Sequence, residues 1–161
     1  MNNLCDYLSE FPRFRVAVLG DLMLDRYIWG NATRISQEAP VPVVEVSRSS
    51  AVPGGAANVA RNVLSLGASA LAVGCIGCDQ EGEELRRLLL QAGADISALQ
   101  VDPDRPTTVK TRVLAGNQQV VRIDSENKAE LSSTLRQKLL QSLQQELQSG
   151  GIQALILEDY A

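Results

Sequence analysis

Short apolar runs and helical-period stripes alternate along this chain. Arg15 to Asp21, RVAVLGD, is an apolar run closed by Gly-Asp, which suits a strand buried on both faces. After a Pro-Gly-Gly turn, GAANVARNVLSLG places Ala56, Val59, Ala60, Val63, Leu64 and Leu66 around a helix packed over much of its surface, with Gly67 as its stop. Ala70 to Gly77, ALAVGCIG, predicts a second buried strand. Asp79 then caps a helix in which Leu85, Leu88, Leu89 and Ala92 share a face and which ends at Gly93. In this order the signals predict a β-α-β-α repeat, the pattern of an α/β layer fold.

Farther on, Leu131, Leu135, Leu139, Leu143 and Leu147 recur every four residues, with Leu140 beside them. The stripe predicts an amphipathic helix over Leu131 to Gln148, capped by Ser132 or Ser133 and stopped by Gly150-Gly151. Its Gln-rich outer face lacks the charge pairing of a coiled coil. IQALILED then predicts another buried strand. Two stretches change period. VPVVEVS, from Val41 to Ser47, and TTVKTRVLAGNQQVVRID, from Thr107 to Asp124, are rich in β-branched residues. Val109, Thr111 and Val113 alternate with Lys110, Arg112 and Leu114, and the AGNQQ interruption suits a hairpin with Gly116-Asn117 at its tip. These strands predict a small antiparallel sheet standing off the main one, with one face wet.

Composition narrows the function. The 161 residues carry 15 Lys and Arg against 19 Asp and Glu, a formal charge of −4, which argues against a general nucleic-acid binder. Three cysteines are too few for a disulfide framework, and the polar, acidic start MNNLCDYLSEFPRF is no secretory signal. The longest apolar runs fall short of a membrane span. These signs predict a reduced, cytoplasmic, soluble protein without a membrane or nucleic-acid partner. The absence of histidine removes Ser-His-Asp and Cys-His catalysis and His-based zinc sites, so a general base would be Asp, Glu, Lys, Tyr or Cys.

Four groups of residues carry candidate chemistry. Gly54-Gly55-Ala56-Ala57-Asn58 sits where a loop enters a helix; it reads equally as a cradle for hydroxyl or phosphate oxygens and as a plain helix entry. Asp21 stands at the carboxyl edge of the first strand, where open α/β sheets bind ligands, and its carboxylate suits sugar hydroxyls; Asp25 reads better as a surface partner of Arg26 or Arg34. Lys110, Arg112 and Arg122, with Asn117, Gln118 and Gln119 between them, suit either an anionic ligand such as a phosphate ester or an ordinary solvated strand face. Cys75-x-x-Cys78 lies in an apolar strand and reads as structural. Neither a G-x-x-x-x-G-K-[ST] loop nor a G-x-G-x-x-G fingerprint occurs.

Together these pieces resemble the ribokinase-like (PfkB) carbohydrate kinases, whose glycine-rich signature is similar to G-G-A-A-N-V-A followed by Gly67 and Gly77. The resemblance is stronger to the heptose-7-phosphate kinase branch, found in bifunctional proteins of ADP-heptose synthesis. It is carried by GDLMLDRYIWG, RIS-x-EAPVPVV, PGGAANVARN, RPTTVKTRVLAGNQQVVRID and a closing DYA, and runs from Val16 to Ala161. It implies an α/β fold: a ribokinase-like three-layer αβα parallel sheet with a small antiparallel β lid. Residues 1–161 would form the N-terminal part of one kinase domain, with lid segments at about 26–50 and 105–124. It implies ATP-dependent phosphorylation of the anomeric hydroxyl of heptose 7-phosphate to the 1,7-bisphosphate, in ADP-heptose and lipopolysaccharide-core synthesis. Asp21, Gly54, Gly55 and Asn58 would hold sugar hydroxyls; Lys110, Gln118 and Arg122 would face the sugar phosphate, with Asp124 orienting Arg122. The lid would also clasp a second copy in a homodimer. Gln37 departs from the RIS-P-EAP pattern, and Cys78 replaces an acidic residue while Asp79 and Gly82 stay in place.

The family's catalytic base lies in a G-A-G-D motif that this sequence lacks, and its nucleotide site lies there too. The resemblance therefore implies a fold truncated on its C-terminal side, with no catalytic residue and no metal ligand in these residues, and with ATP and Mg2+ bound only by a full-length parent. The alternative is a non-catalytic remnant that binds sugar phosphate or dimerises. Either way the last strand, Gln153 to Glu158, is expected to leave apolar sheet surface uncovered.

Overall fold

The computed structural model describes the backbone of residues 4–160 and the side chains of residues 7–160. Met1 to Asn3, the Cys5 side chain and the closing Ala161 lie outside the described residues. A 3-10 helix, Leu4–Arg13, leads into β1, Arg15–Gly20. Two long strands follow, β2 at Leu22–Ile35 and β3 at Pro42–Gly55, then α1 at Ala56–Ser65 and β4 at Ser69–Gly77. The chain continues through α2 at Gln80–Gln91, β5 at Leu99–Asp102, β6 at Thr108–Ala115, β7 at Gln118–Ser125, α3 at Ser133–Gln148 and β8 at Ala154–Glu158.

The strands form two sheets. The main sheet runs β5-β4-β1-β8, every pair parallel. Helices α1 and α2 lie on one face, burying Ala56, Ala57, Ala60, Leu85 and Leu89 against Val18, Ala70, Ala72 and Ile76. The alanines let α1 approach the sheet closely. Helix α3 covers the other face, setting Leu139 and Leu143 on Ala17, Leu71 and Val73. Its four-residue leucine repeat drifts about 40° per step on a 3.6-residue helix. Leu135, Leu139 and Leu143 are therefore buried, whereas Leu147 is exposed.

This arrangement follows from handedness. The chain steps outward from β1 to β4 to β5, then returns to the opposite side of β1 as β8. Right-handed connections place helices on opposite faces when the direction of travel reverses. The reversal opens a crevice outside the carboxyl ends of β1 and β8. Strand β8 is an edge, and Leu157 on it is 71% exposed, so apolar sheet surface is uncovered there as expected.

The second sheet runs β3-β2-β6-β7. It was expected to be antiparallel, but it is mixed: β2 pairs antiparallel with β3 and β6 with β7, while β2 and β6 run parallel from Met23↔Thr108 to Gly30↔Ala115. The cause is the direction of departure. Both β2 and β6 leave the main body outward and lie side by side in the centre, and their returning partners take the edges. Strand β2 was read only as part of a lid segment, and β5 was not foreseen.

One polar knot fixes where β6 departs. Asp79, the N-cap of α2, accepts from Gly82 N at 2.8 Å, from Thr107 N at 2.8 Å and from the Thr107 hydroxyl at 2.6 Å. That hydroxyl oxygen accepts from Gly77 N at 2.9 Å, and Thr107 is 2% exposed. Burial alone would raise the Asp79 carboxyl, but the Thr107 and Gly82 donors outweigh it and hold it below the ordinary carboxylate range. We expect Asp79→Ala to cost about 2–4 kcal/mol in urea unfolding at pH 7, from a lost cap and a buried hydroxyl left unpaired. A depressed folded value means the contribution is complete above the unfolded value near pH 4 and disappears as the pH falls through the lower folded value. Wild-type stability should therefore fall more steeply than that of Asp79→Asn between about pH 4 and pH 2.

Candidate active-site cleft

The chain leaves β1 at Gly20, passes through Asp21 and enters β2; it comes back along β3 and turns into α1 at Gly55. Ala56 N donates to the Asp21 carbonyl at 3.0 Å, so departure and return meet at one point. Gly55 adopts φ +52, and a Cβ there would strike that same carbonyl oxygen. A Cβ on Gly54 would come within 2.6 Å of Asp25 Oδ2. Two glycines are thus needed here for different reasons, one conformational and one steric.

The second sheet has two dissimilar faces. One packs on the body: Leu24 and Val109 join the core, and Arg26 reaches Glu84 at 3.1 Å on α2. The other overhangs the carboxyl ends of β1 and β8, as the contacts of Tyr160 show: its N–H donates to Asp21 Oδ2 at 3.0 Å, and Lys110 Nζ lies 5.4 Å from its ring centre. This inner face carries Asp25, Tyr27 and Trp29 from β2, Lys110 and Arg112 from β6, and Arg122 and Asp124 from β7, brought together by the registers Asp25↔Lys110↔Asp124 and Tyr27↔Arg112↔Arg122.

The predicted residues are distributed over this cleft unevenly. Asp21, Gly54 and Gly55 lie at its floor, where the Asp21 carbonyl abuts Gly55. Asn58 Oδ1 accepts from Arg61 at 2.8 Å, one turn along α1. Lys110 is 2% exposed and clamped between Asp124, at 3.2 Å, and Glu126. Burial opposes its charge, but these two carboxylates outweigh burial and hold the ammonium above its ordinary range. Its position is that of a strut inside the lid. Arg122 forks onto Asp124, Nε to Oδ1 at 2.9 Å and Nη2 to Oδ2 at 3.0 Å. Hydrogen bonding to Arg122, more than to Lys110, keeps Asp124 ionised below the usual range. Gln118 is not brought to the floor. It pairs with Ala115, five residues beyond Lys110 on β6 or roughly 16 Å of strand, and lines a hollow of about 630 Å3 with Asn31, Thr33 and Pro42 at the lid's tip.

Two cleft residues escaped the sequence reading. Asp25 was assigned to Arg26 or Arg34, but those side chains bond Glu84 and Glu45; Asp25 instead pairs with Arg112 on the inner face, packed against Gly54. Period two was the missed signal: Asp25, Tyr27 and Trp29 share a face only once Leu22–Ile35 is recognised as a strand. Glu158 ends β8, and its Oε2 is buried without a hydrogen-bond partner. Burial, followed by the negative charge of Asp21, pushes its carboxyl above the ordinary glutamate range, although N–H groups of Asp21 and Ala56 act the other way. The strand-end rule that singled out Asp21 applies equally to Glu158.

The cleft is thus acidic at its floor and cationic and aromatic along its roof. A polyol can be held by the carboxylates, and an anion by the guanidinium groups. Among the described residues no group of three or more His, Cys, Asp or Glu could hold a metal ion, and the Ala56 N–H at the start of α1 is directed at the Glu158 carboxyl. Cys75 and Cys78 are free, and burial, then the charge of Asp102, pushes the Cys75 thiol up to about 11, which leaves it unreactive at neutral pH. No helix among the described residues is long and apolar enough to cross a membrane.

Known proteins share this organisation. The family profile described as pfkB family carbohydrate kinase matches residues 13–158. The chain is 47% identical over 146 residues to the Helicobacter pylori (strain ATCC 700392 / 26695) protein named Bifunctional protein HldE, covering 91% of this chain and 31% of that protein. A solved carbohydrate kinase from Agrobacterium tumefaciens is 25% identical with a TM-score of 0.58, over 70% of this chain and 35% of that one. Arabidopsis thaliana ribokinase, complexed with ribose and ATP, superimposes with a TM-score of 0.59 at 19% identity, over 80% of this chain and 42% of that one, a likeness of fold. The ribokinase-like α/β architecture implied by the sequence motifs is therefore the one found.

The raised Glu158 carboxyl gives a testable consequence. Its ionisation costs stability as the pH rises from the unfolded value, near 4.3, through the higher folded value. Glu158→Gln should raise the urea midpoint at pH 7, with the gain vanishing toward pH 4, and should weaken sugar binding measured by calorimetry.

Proposed function

Because the chain belongs to the pfkB family of carbohydrate kinases, we propose that it forms the sugar-phosphate-binding and lid part of an ATP-dependent kinase acting on the anomeric hydroxyl of heptose 7-phosphate. The observation that carries this is the polarity of the cleft. Carboxylates of Asp21 and Glu158 lie at the floor, and the guanidinium groups of Arg112 and Arg122 lie along the inner face of the lid that roofs it. A sugar with hydroxyls at one end and a phosphate at the other matches that gradient; a neutral nucleoside or pentose does not. The heptose assignment rests on the five sequence stretches that resemble the heptose-7-phosphate kinase branch.

The chain's own residues bind and orient. Asp25 is held by Arg112, and Gly54 leaves room for the Asp25 carboxylate against the backbone. Fixing one hydroxyl for in-line attack is the larger part of phosphoryl-transfer catalysis, which depends on positioning and charge stabilisation. The lid sheet shields that hydroxyl from water. ATP supplies the phosphoryl group, and in this reading ATP and Mg2+ are held by further sequence of the full-length protein, since this chain spans 31% of the length of the relative it matches. The place of action is the cytoplasm, consistent with free Cys75 and Cys78.

A second copy is the proposed partner of the lid's outer face. Beyond the part packed on the body, that face presents Ile28, Val113, Val121 and Ile123, with Val121 45% and Ile123 56% exposed. Replacing both Val121 and Ile123 with Glu should shift a dimer to monomer in sedimentation analysis, leaving the melting transition of the monomer intact.

The substrate is tested by coupled ADP release with the full product of the gene. Heptose 7-phosphate should be turned over with kcat/KM at least about tenfold above ribose, fructose 6-phosphate or adenosine. A preference for any of these three, or no turnover at all, removes the assignment.

A further inference from the structure

The lid's cations differ in how fully they are neutralised. Lys110 is shared by Asp124 and Glu126. Arg112 is paired with Asp25, Arg122 with Asp124, and Arg34 with Glu45 at 3.6 Å. Arg26 faces the body and bonds Glu84. Arg48 on β3 is different: among the described residues it has no carboxylate within ion-pair reach. Its guanidinium carbon instead lies 3.9 Å from the centre of the Trp29 ring, the residue opposite it in the β2–β3 register.

That stack continues along the inner face. Trp29 lies on Tyr27 with ring centres 5.5 Å apart and planes 18° from parallel, and Arg112 lies 5.4 Å from the Tyr27 ring. The result is a ladder, Arg48–Trp29–Tyr27–Arg112, leading down to Asp25. The register shift immediately beyond Trp29 is pinned by the Ser47 hydroxyl, which donates to the Trp29 carbonyl at 3.1 Å. An aromatic face attracts a guanidinium through its quadrupole and fixes the plane of the group. The face is then occupied, but the N–H donors around the guanidinium edge stay available, and their fork matches a phosphate bidentately. Trp29 is four residues from Asp25 along β2, roughly 13 Å of strand. The ladder therefore separates the hydroxyl-binding end of the cleft from an uncompensated, pre-oriented positive charge.

We propose that Arg48, held flat on Trp29, is the specificity-determining cation that selects a phosphorylated sugar over its unphosphorylated counterpart. This deepens the sugar-phosphate reading above and rests on it. Arg122 and Lys110 are committed to carboxylates; Arg48 meets the phosphate without first giving up an ion pair. Trp29 is the positioning residue that holds it.

The test uses the full product of the gene in the ADP-release assay, with heptose 7-phosphate and unphosphorylated heptose as acceptors. Arg48→Gln should raise KM for heptose 7-phosphate on the order of tenfold while kcat stays within about twofold, the signature of lost uniform binding. The parameters for unphosphorylated heptose should not move. Arg48→Lys, which keeps the charge but not the fork, should recover part of the loss. Arg48 is exposed, so unfolding midpoints of both variants should match the wild type. If the wild type prefers heptose 7-phosphate and Arg48→Gln keeps that preference, the role of Arg48 is refuted and the substrate reading stands. If the wild type shows no preference for the phosphorylated sugar, both fall. Equal losses with both sugars would also overturn the proposal, because they mark a structural role for Arg48.

Discussion

The hydrogen bond from Ala56 N to the Asp21 carbonyl closes the excursion that makes this protein more than a parallel sheet. The chain departs and returns at a single point, so two long strands are cantilevered from it over the carboxyl ends of β1 and β8. Everything in the cleft inherits its place from that closure. Gly55 must take a positive φ to make the turn into α1, and Gly54 must lack a side chain for Asp25 to lie against the backbone. A second anchor, the Asp79–Thr107 knot, sets β6 on its outward path beside β2. With both anchors in place the inner face of the lid has no freedom to turn its residues away from the crevice.

Within the lid, charge is used in two ways. Lys110 is almost fully buried among Asp124 and Glu126, where removing one partner would strand the others. Such a group specifies register, because a one-residue slip would send it to the opposite face. Arg48, by contrast, leans on the Trp29 ring and keeps its donors at the cleft. The lid is therefore rigidified by compensated charge near its base and left cationic toward its far end. The body contributes the opposite sign, through Asp21 and the Glu158 carboxyl, whose oxygen is buried without a partner. A ligand with unlike ends aligns itself in such a field before any specific contact forms.

The sequence by itself determined the layers and the turns between them. Buried runs such as Arg15–Gly20 and Ser69–Gly77, the Asp79 and Ser132 caps, and the positive-φ stops at Gly67 and Gly93 rest on local physics, and they appear where the residues predict them. The Gly54-Gly55 signal and Asp21 at a strand end were readable for the same reason, and the motif stretches identified the family. Tertiary structure alone decided which strands became neighbours, and hence which side chains meet. Strand β2 carries apolar and polar residues on both faces because each face packs against something, so its period was hidden and Asp25, Tyr27 and Trp29 could not be seen as one surface. The parallel pairing of β2 with β6 joins segments far apart in sequence, and no local pattern records it. That pairing gives Asp25 to Arg112, while the β6–β7 register sets Lys110 beside Asp124 and the β2–β3 register leaves Arg48 stacked on Trp29. A charged residue's role depends on what lies within a few ångströms of it, and in a sheet that is fixed by register across strands, which the linear sequence does not contain.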